Sequence, residues 1–311
     1  VVKMFCTITH PDGTPFAMDT RSILKRAIDD AAALGYQVSF GSEFEFYLFK
    51  TDESGNPTAE PFDQAGYMDV APEDKGENVR REICLNLLDM GIQPESSHHE
   101  EGPGQNEIDF RYSDAMTAAD NALLFASTVR AVAVSNGLYA DFSPKPIPGE
   151  SGNGLHINLS LLQQGGPSVT QHFMAGILAH IREMTFFLNP CEASYRRLGE
   201  KKAPRYVTWS PGNRSQLIRI PAAQGQYKRM ELRSPDPTVN PHLAYALVIF
   251  AGLDGVKRKL LPPEPLNVNL YTADPSVTAS LETLPGSLKE ARELARESAF
   301  IRSVLPEEML D

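Results

Sequence analysis

The sequence is poor in cysteine and has no long hydrophobic run. Its three cysteines, Cys6, Cys84 and Cys191, lie far apart and form no CxxC pair. This spacing indicates a reducing compartment and argues against a zinc site. No apolar stretch comes near the roughly 18 residues that a membrane span requires, and no signal peptide is recognisable. We therefore expect a cytoplasmic protein without a membrane partner.

Positive charge is also in deficit, because 29 lysines and arginines face 40 aspartates and glutamates, for a formal net charge of -11. A nucleic acid is therefore not the expected partner, since binding its phosphates needs a basic surface. The sequence contains no GxxxxGK[ST] loop and no GxGxxG turn after a predicted strand. Neither a P-loop nor a Rossmann fold is expected to bind a nucleotide here.

What the sequence does contain is a strand with an unusual polar face. In residues 155–161 every second side chain is leucine or isoleucine, and the intervening ones are His156, Asn158 and Ser160. Period-two alternation is typical of a strand with one face in the core. The other face here carries an imidazole, an amide and a hydroxyl instead of solvated charges, which is the composition expected of a binding site.

Three more stretches put charged side chains on one strand face. Glu43 and Glu45 share a face of the strand predicted over residues 38–49. The same alternation recurs with Glu107, Asp109 and Arg111 in residues 105–112, and with Glu231 and Arg233 in residues 230–233. Such a face is costly to bury unless its charges meet partners or metal ions. A solvated outer face is the alternative, and it stays open for Asp109 and Arg111.

Strands and helices alternate without a regular βα rhythm, which favours an α+β fold. We predict a curved, mainly antiparallel sheet whose polar face is lined with Glu, Arg and His, with helices packed outside. Further strands are predicted over residues 1–9, 206–210 and 215–220. Helices are predicted over residues 21–34, 78–90, 117–136, 171–187 and 241–252, and a last one from residue 287.

The candidate ligands suit hard divalent cations. Carboxylate-rich sites bind Mg²⁺ or Mn²⁺, and one imidazole favours tolerance of Mn²⁺. The candidates are Glu43, Glu45, Glu100, Glu107, His156 and Glu231. Metal ions together with arginines are the groups that neutralise a transferring phosphoryl group. Those arginines are Arg197, Arg214, Arg219, Arg229 and Arg233.

With these motifs in this order, the chain resembles the catalytic domain of the glutamine synthetase family over residues 1 to about 300. The stretches that carry the resemblance are residues 41–49, 99–107, 152–161, 189–198, 213–221 and 231–241. Each motif is moderately specific, and their shared order is very specific. The resemblance implies that ATP phosphorylates glutamate to γ-glutamyl phosphate and that ammonia then displaces the phosphate to give glutamine.

The resemblance also implies a role for each matching residue. It places one metal ion at Glu45, Glu100 and Glu107 and a second at Glu43, His156 and Glu231, with two or more Mg²⁺ or Mn²⁺ ions in all. Glutamate is expected at Gly152, Arg197 and Arg233, and ATP at Glu95, Asn158, Ser160, Arg214, Arg219 and Arg229. The implied catalytic residues are Arg214, Arg233 and the flap residue Glu200.

The chain departs from the family pattern in three places. Asn158 stands where a second histidine is usual, and Ser151 stands where the glycine loop usually begins with Asn. Only residues 199–202 follow Leu198 before Ala203-Pro204, so the acidic flap residue is offset to Glu200. The altered flap motivates an alternative, a ligase of the same family that uses another amine. A non-catalytic scaffold is the third possibility, and the six remaining ligands argue against it.

We expect residues 1–311 to form one catalytic domain. Relative to the family, the N-terminal small domain and the usual C-terminal segment are expected to lie outside this chain. The expected partners are small molecules, namely glutamate, ATP and ammonia or an amine. The resemblance predicts a homo-oligomer for the full-length protein.

Overall fold

The centre of the protein is one large sheet. In the computed structural model, residues 3–163, 168–223, 225 and 228–310 are described. The strands of this part are β1 Tyr36–Thr51, β2 Pro57–Pro61, β3 Pro94–His99, β4 Gln105–Phe110, β5 Ser113–Asp114, β6 Leu138–Asp141, β7 Leu155–Gln163, β8 Trp209–Pro211, β9 Ile218–Ile220 and β10 Met230–Leu232. They run in the order β3-β4-β1-β7-β10-β9-β8, while β2, β5 and β6 also pair with β1. Only β8 and β9 are parallel among these pairs.

Strand β1 organises the sheet because it is 16 residues long and pairs with five other strands. Its even-numbered side chains Phe40, Phe44, Phe46 and Leu48 are buried in the core. The alternate side chains therefore point to the opposite face of the sheet. The α+β class and the mainly antiparallel sheet predicted from the sequence are confirmed.

Helices pack on the apolar side of the sheet. Those of the described residues are α1 Thr20–Ala33, α2 Glu77–Asp89, α3 Ala115–Ser135, α4 Thr170–Leu188, α5 Glu192–Arg197, α6 Pro241–Arg258, α7 Pro275–Thr278, α8 Leu288–Glu297 and α9 Ala299–Val304, followed by a short 3-10 helix, Glu307–Leu310. Side-chain caps fix several helix starts: Asp19 accepts from the backbone of α1, and Asn240 accepts from that of α6. None of these helices is both long and apolar enough to cross a membrane.

Helix α6 is the core helix, and α4 crosses it at unusually short range. A Cβ on Gly176 of α4 would lie 2.1 Å from the carbonyl oxygen of Ala251 on α6. On α6, a Cβ on Gly255 would lie 2.5 Å from the backbone nitrogen of Gly176. Only glycine fits at such a contact, because any side chain would separate the two backbones. The two helices therefore form a rigid support behind the sheet.

The predicted strand over residues 1–9 is not found. Val1 and Val2 lie outside the described residues, and residues 3–8 form no strand in the structure. The backbone of Ile8 bonds to Asp19 and Phe16 instead, so this segment is attached to the start of α1. Strand-like residue types alone do not supply a neighbouring strand. The predicted strands over 206–210 and 215–220 shorten to β8 and β9, and the helix from Pro241 continues to Arg258.

Candidate active site

The candidate site lies on the polar face of the sheet, where strand pairing aligns its residues in rows. One row runs from Asp109 on β4 through Glu43 on β1 to His156 on β7. The next row joins His98 and Glu107 to Glu45. A third row joins Asn158, Glu231 and Arg219. Paired residues on neighbouring strands point to the same side, so the register places all these side chains over one area.

Two of these cross-strand pairs oppose carboxylates of the same charge. Glu43 faces Asp109, and Glu45 faces Glu107, an arrangement that is unfavourable without an intervening cation. Burial and then the charges of Asp109, Glu45 and Glu43 raise the pKa of Glu107 well above its ordinary value. Burial also raises the pKa of Glu45, and burial together with Glu43 raises that of Asp109. The sheet thus holds more negative charge here than its own residues neutralise.

His156 stands between three of the carboxylates. Its Nδ1 lies 3.1 Å from Glu43 and 3.8 Å from Glu231, and its Nε2 lies 3.8 Å from Glu45. The side-chain amide of Asn158 donates to Glu43 at 2.7 Å. Burial opposes ionisation of Glu43, but the hydrogen bonds of His156 and Asn158 lower its pKa to about 2. Glu43 is therefore the ionised member of its pair with Asp109.

Glu231 lies at the base of the site and already has two cationic neighbours. Arg219 lies 2.8 Å from one carboxylate oxygen, and Arg233 donates to the other. Arg233 is only 2% exposed. It therefore lies under the site as the partner of Glu231 instead of extending freely into the cavity.

A second ligand-type group lies at the β3–β4 edge. The Nε2 of His98 is 3.4 Å from Glu100 and 3.5 Å from Glu107. One ligand atom from each of these three residues lies within 4.8 Å of the others. The ligand atoms of Glu43, Glu107 and His156 lie equally close together. His98 was not among the sequence candidates. His98 lies two residues before Glu100, so an extended chain points both side chains to the same face. That spacing was the signal that could have identified it.

The donor set fits divalent cations. Carboxylate oxygens with an occasional imidazole are the ligands that Mg²⁺ and Mn²⁺ use. The crowding of carboxylates with raised pKa values, Glu45 and Glu107, indicates that positive charge is required to keep them ionised together. The structure groups Glu43 and His156 with Glu107, and groups Glu100 with His98 and Glu107. The sequence-based assignment had instead divided the six residues into two sets of three.

A cavity of about 150 Å³, which we call the outer cavity, opens beside Glu43. Three residues predicted to contact the nucleotide, Glu95, Asn158 and Ser160, line it together with Arg229. The guanidinium of Arg229 donates to the amide oxygen of Asn158 at 3.0 Å. The walls of the outer cavity also include residues not predicted as binding residues, namely Ser39, Ser42, Asp109, Phe110, Tyr112 and Lys228.

A smaller inner cavity lies on the other side of His156. Its lining is Glu45, Glu100, Gln105, Ser151, Gly152, His156, Arg197, Lys201, Lys202 and Ala203. The backbone N–H of Gly154 donates to Glu45 at 2.7 Å and holds that carboxylate in place. A Cβ on Gly154 would lie 2.8 Å from both Arg197 and His156. The loop therefore passes close to both side chains, which would have to shift to admit a larger residue at this position.

The predicted substrate arginines occupy different environments. Arg197 lines the inner cavity, but its guanidinium donates to the backbone carbonyls of Ser234 at 2.8 Å and Arg233 at 3.3 Å. Arg214 is exposed and lies 3.5 Å from the hydroxyl of Tyr67. The structure brings Arg197 and Arg219 to the site, while Arg214 lines neither cavity.

Glu200 lies outside both cavities, contrary to the expectation that it would lie over the site. Its carboxylate is 2.9 Å from Lys145, and its side chain is 59% exposed. The flap residue that does reach the site is Lys202, whose ammonium lies 3.3 Å from Glu100 and 3.2 Å from Glu101. Spacing along a loop predicts that a flap exists, but not which side chain it turns inward.

A separate buried cluster, formed by Asp63, Asp74, Arg80 and His99, lies beside the site. Arg80 binds Asp74 through both guanidinium nitrogens, at 2.5 and 3.1 Å. His99 lies 2.9 Å from Asp63 through Nε2 and 2.7 Å from the backbone carbonyl of Glu100 through Nδ1. Asp63 also accepts from the backbone N–H groups of Gly104 and Lys75. This cluster is geometrically compact enough for a metal ion, yet its charges are already paired.

Comparison with known proteins connects this geometry to one family. The family model for the glutamine synthetase catalytic domain matches residues 17–311. The chain is 44% identical over 320 residues to a glutamine synthetase of Clostridium saccharobutylicum, covering 98% of this chain and 72% of that protein. It is also 44% identical over 323 residues to the glutamine synthetase of Thermus thermophilus, covering 99% of this chain and 72% of the relative.

Solved structures give the same relationship. A structure described as a GmaS/ADP complex superposes with a TM-score of 0.86 at 30% identity, covering 96% of this chain and 72% of that one. A cryo-electron microscopy structure of Plasmodium falciparum glutamine synthetase superposes with a TM-score of 0.83 at 26% identity, covering 98% of this chain and 76% of that one.

Proposed function

The chain belongs to the glutamine synthetase family, and from that premise we propose how its two cavities divide the reaction. The activity is that of a glutamate–ammonia ligase, which makes glutamine from glutamate and ammonia. We propose that ATP lies in the outer cavity and glutamate in the inner cavity. The γ-carboxylate of glutamate then meets the terminal phosphate of ATP near His156, which lines the inner cavity, and Glu43, which lines the outer cavity 3.1 Å from His156. The observation that carries this proposal is the convergence of ligand-type side chains from β1, β4, β7 and β10 between the two cavities.

Divalent cations are the proposed cofactors, either Mg²⁺ or Mn²⁺, bound by Glu43, Glu45, Glu100, Glu107, His156 and Glu231. His98 is added to this set because it lies within 3.5 Å of both Glu100 and Glu107. Bound cations would neutralise charge on the phosphates and on the carboxylates that face each other across β1 and β4. Without them, the paired like charges oppose the binding of two anionic substrates.

The arginines act as fixed positive charge. Arg219 is held against Glu231, and its position beside the site suits a phosphate oxygen of ATP. Arg229, at the rim of the outer cavity, is proposed to contact another phosphate, with Glu95, Asn158 and Ser160 near the nucleotide. Pre-positioned charge stabilises the transferring phosphoryl group without reorganisation at the moment of reaction. Arg214 can take part only if it moves from its exposed position.

The inner cavity is proposed to protect the activated intermediate. Phosphoryl transfer to glutamate yields γ-glutamyl phosphate and ADP, and ammonia then displaces phosphate to form the amide. Arg197 and the Gly152 loop line the cavity wall, and Arg233 lies beneath it, so the substrate carboxylates meet a positive wall. Closure of the flap over bound substrates would limit hydrolysis of the acyl phosphate by water.

Another amine in place of ammonia is the second candidate, and the flap favours considering it. Lys202 brings positive charge to the inner cavity, while Glu200 pairs with Lys145 outside it. A positive entrance is unfavourable for NH₄⁺. The neutral amine or ammonia molecule is the nucleophile in either case, so the two candidates differ in what the cavity admits.

The test is an assay with ATP, glutamate and either ammonia or a panel of primary amines, followed by detection of ADP and of the amide product. We expect glutamine from ammonia, loss of activity after chelation, and recovery with Mg²⁺ or Mn²⁺. Glu45→Gln should remove the activity, whereas the surface variant Glu53→Gln should retain it. Failure of ammonia where another amine reacts would select the second candidate. Full activity after chelation would contradict the cation proposal. Homo-oligomerisation and a cytoplasmic location stay predictions.

A further inference from the structure

The flap presents a lysine to the inner cavity in an unusual backbone conformation. Lys201 and Lys202 have φ values of 21° and 52°, and Gly199 before them has a φ of 87°. Residues other than glycine rarely adopt positive φ, because the Cβ then approaches the backbone. A conformation of this kind persists when side-chain contacts hold it. The contacts of Lys202 are the ones that point toward the site.

Lys202 binds two carboxylates and an aromatic ring. Its ammonium lies 3.3 Å from Glu100 and 3.2 Å from Glu101, and 4.0 Å from the centroid of the Tyr67 ring. Lys201, its neighbour, instead points outward to Glu150 at 3.1 Å. Both lysines line the inner cavity, but they pair with different carboxylates, and Lys202 is the one paired with the candidate ligand Glu100.

Glu100 is shared between Lys202 and the candidate metal ligands. One of its carboxylate oxygens faces His98 at 3.4 Å, and the other faces Lys202 at 3.3 Å. A divalent ion bound by Glu100 would lie close to the lysine ammonium, and two cations this close repel each other.

We propose that Lys202 is a tethered cation that competes with the divalent ion for Glu100. This inference rests on the proposed function, because it takes Glu100 as a metal ligand. In the metal-free protein, the ammonium neutralises Glu100 and Glu101 and holds the flap over the inner cavity. Binding of the divalent ion displaces the ammonium, so the flap opens as the metal subsite fills. Lys202 is thus a positioning residue that sets the metal affinity of this subsite.

The first test measures Mn²⁺ binding without ATP or glutamate, by electron paramagnetic resonance of free Mn²⁺ during titration. The proteins are the wild type, Lys202→Met, Lys202→Arg and the surface control Lys25→Met, whose ion pair with Asp29 is exposed. Lys202→Met should tighten one Mn²⁺ site about tenfold, the change expected for removing one partly screened ion pair. Lys202→Arg should bind like the wild type because it keeps the charge, and Lys25→Met should bind like the wild type within about twofold.

A second readout uses the unmodified protein, so it does not depend on the folding of a variant. Trypsin cleaves after Lys201 or Lys202, and Mn²⁺ should accelerate this cleavage relative to cleavage elsewhere in the chain. Wild type and Lys202→Met that bind Mn²⁺ with equal affinity would overturn the inference and leave the proposed function standing. Unchanged flap cleavage on Mn²⁺ binding would overturn it as well. Absence of Mn²⁺ binding in all four proteins would reject the proposed function and this inference together.

Discussion

Two neighbouring groups of side chains both combine a histidine with carboxylates, and they differ in how their charges are balanced. The buried cluster of Asp63, Asp74, Arg80 and His99 pairs every charge within itself. The cavity cluster consists of Glu43, Glu45, Glu100, Glu107, His156 and Glu231, and there carboxylates face each other across β1 and β4. Both contain a histidine among carboxylates, and both are compact enough to be considered metal sites.

The pKa of Glu107 separates the two. In the buried cluster, burial raises the pKa of Asp63, but the hydrogen bond from His99 lowers it below its ordinary value overall. Burial lowers the pKa of His99, but the bond to Asp63 raises it overall. In the cavity cluster, burial and neighbouring charges both raise the pKa of Glu107. A histidine–carboxylate group therefore indicates a ligand site only when its charges lack internal partners.

The largest expected effect is on stability, in the buried cluster. Arg80→Met removes the partner of Asp74 and leaves a buried charge uncompensated, so the free energy of unfolding should fall by about 3–5 kcal/mol. Urea denaturation at pH 7 measures this. The exposed neighbour Arg81 provides the control, since Arg81→Met should change stability by less than about 0.5 kcal/mol. A loss below about 1 kcal/mol for Arg80→Met would show that the pair is not structural.

Replacing a carboxylate by an amide should move stability in opposite directions in the two clusters. Asp63→Asn weakens hydrogen bonds made to a charge and should lower the free energy of unfolding by about 2 kcal/mol. Glu107→Gln removes one of two opposed charges and should raise that of the metal-free protein by up to about 1 kcal/mol. The same Glu107→Gln variant should lose about 100-fold or more in glutamine formation. If both substitutions change the free energy of unfolding in the same direction, the two clusters do not differ in the way proposed.

A histidine far from the site extends the comparison through pH. His180 lies 2.8 Å from both Glu183 and Asp254, and Arg258 also binds Asp254 at 2.9 Å. Burial lowers the pKa of His180, but the two carboxylates raise it overall. Protonated His180 therefore contributes fully to the free energy of unfolding below its unfolded pKa of about 6.5. This contribution is lost as pH rises through the higher pKa of the folded state.

We expect wild type to exceed His180→Gln in stability by about 1 kcal/mol near pH 6, and by less near pH 9. Denaturant titrations of both proteins at several pH values measure the difference. Asp254, whose pKa is lowered by His180 and Arg258 against the effect of burial, loses its contribution only on acidification. A stability difference that grows between pH 6 and pH 9 would contradict the raised pKa of His180.

The smallest effect is expected for Glu200, a carboxylate near the cavity cluster but not part of it. Because it pairs with Lys145 and is largely exposed, Glu200→Ala should change the KM for ammonium by less than about twofold and leave the unfolding free energy within about 0.5 kcal/mol. Steady-state kinetics with varied ammonium measure the first quantity. An increase of tenfold would show that the flap turns Glu200 inward during turnover, as the sequence had suggested.

The sheet could be predicted from the sequence because alternation is a local property. The polar face of β7, with His156 and Asn158, and the paired glutamates of β1 followed from residue order alone. Register could not, since it depends on which residue of β4 meets Glu43. The position of His98 beside Glu107 is set in the same way, by the pairing of β3 with β4.

The flap could be predicted only as a segment. Four residues between Leu198 and Ala203 allow several side chains to face inward, and long-range contacts with Glu100 and Tyr67 select Lys202. The predicted strand over residues 1–9 was wrong for a similar reason, because strand-like residue types do not by themselves supply a neighbouring strand. The local sequence pattern specifies which face of a helix or strand is polar. Contacts between residues distant in sequence determine which side chains reach the site.

The pairing of β1 on both edges has a consequence for hydrogen–deuterium exchange. Glu43 and Phe44 are each bound by β4 on one side and by β7 on the other, so their strand cannot separate without breaking the centre of the sheet. Amides in such positions exchange only through global opening. The segment that carries Glu43 and Glu45 should therefore be among the last to take up deuterium. The ligand geometry would then persist through every partial opening that flaps and outer helices undergo.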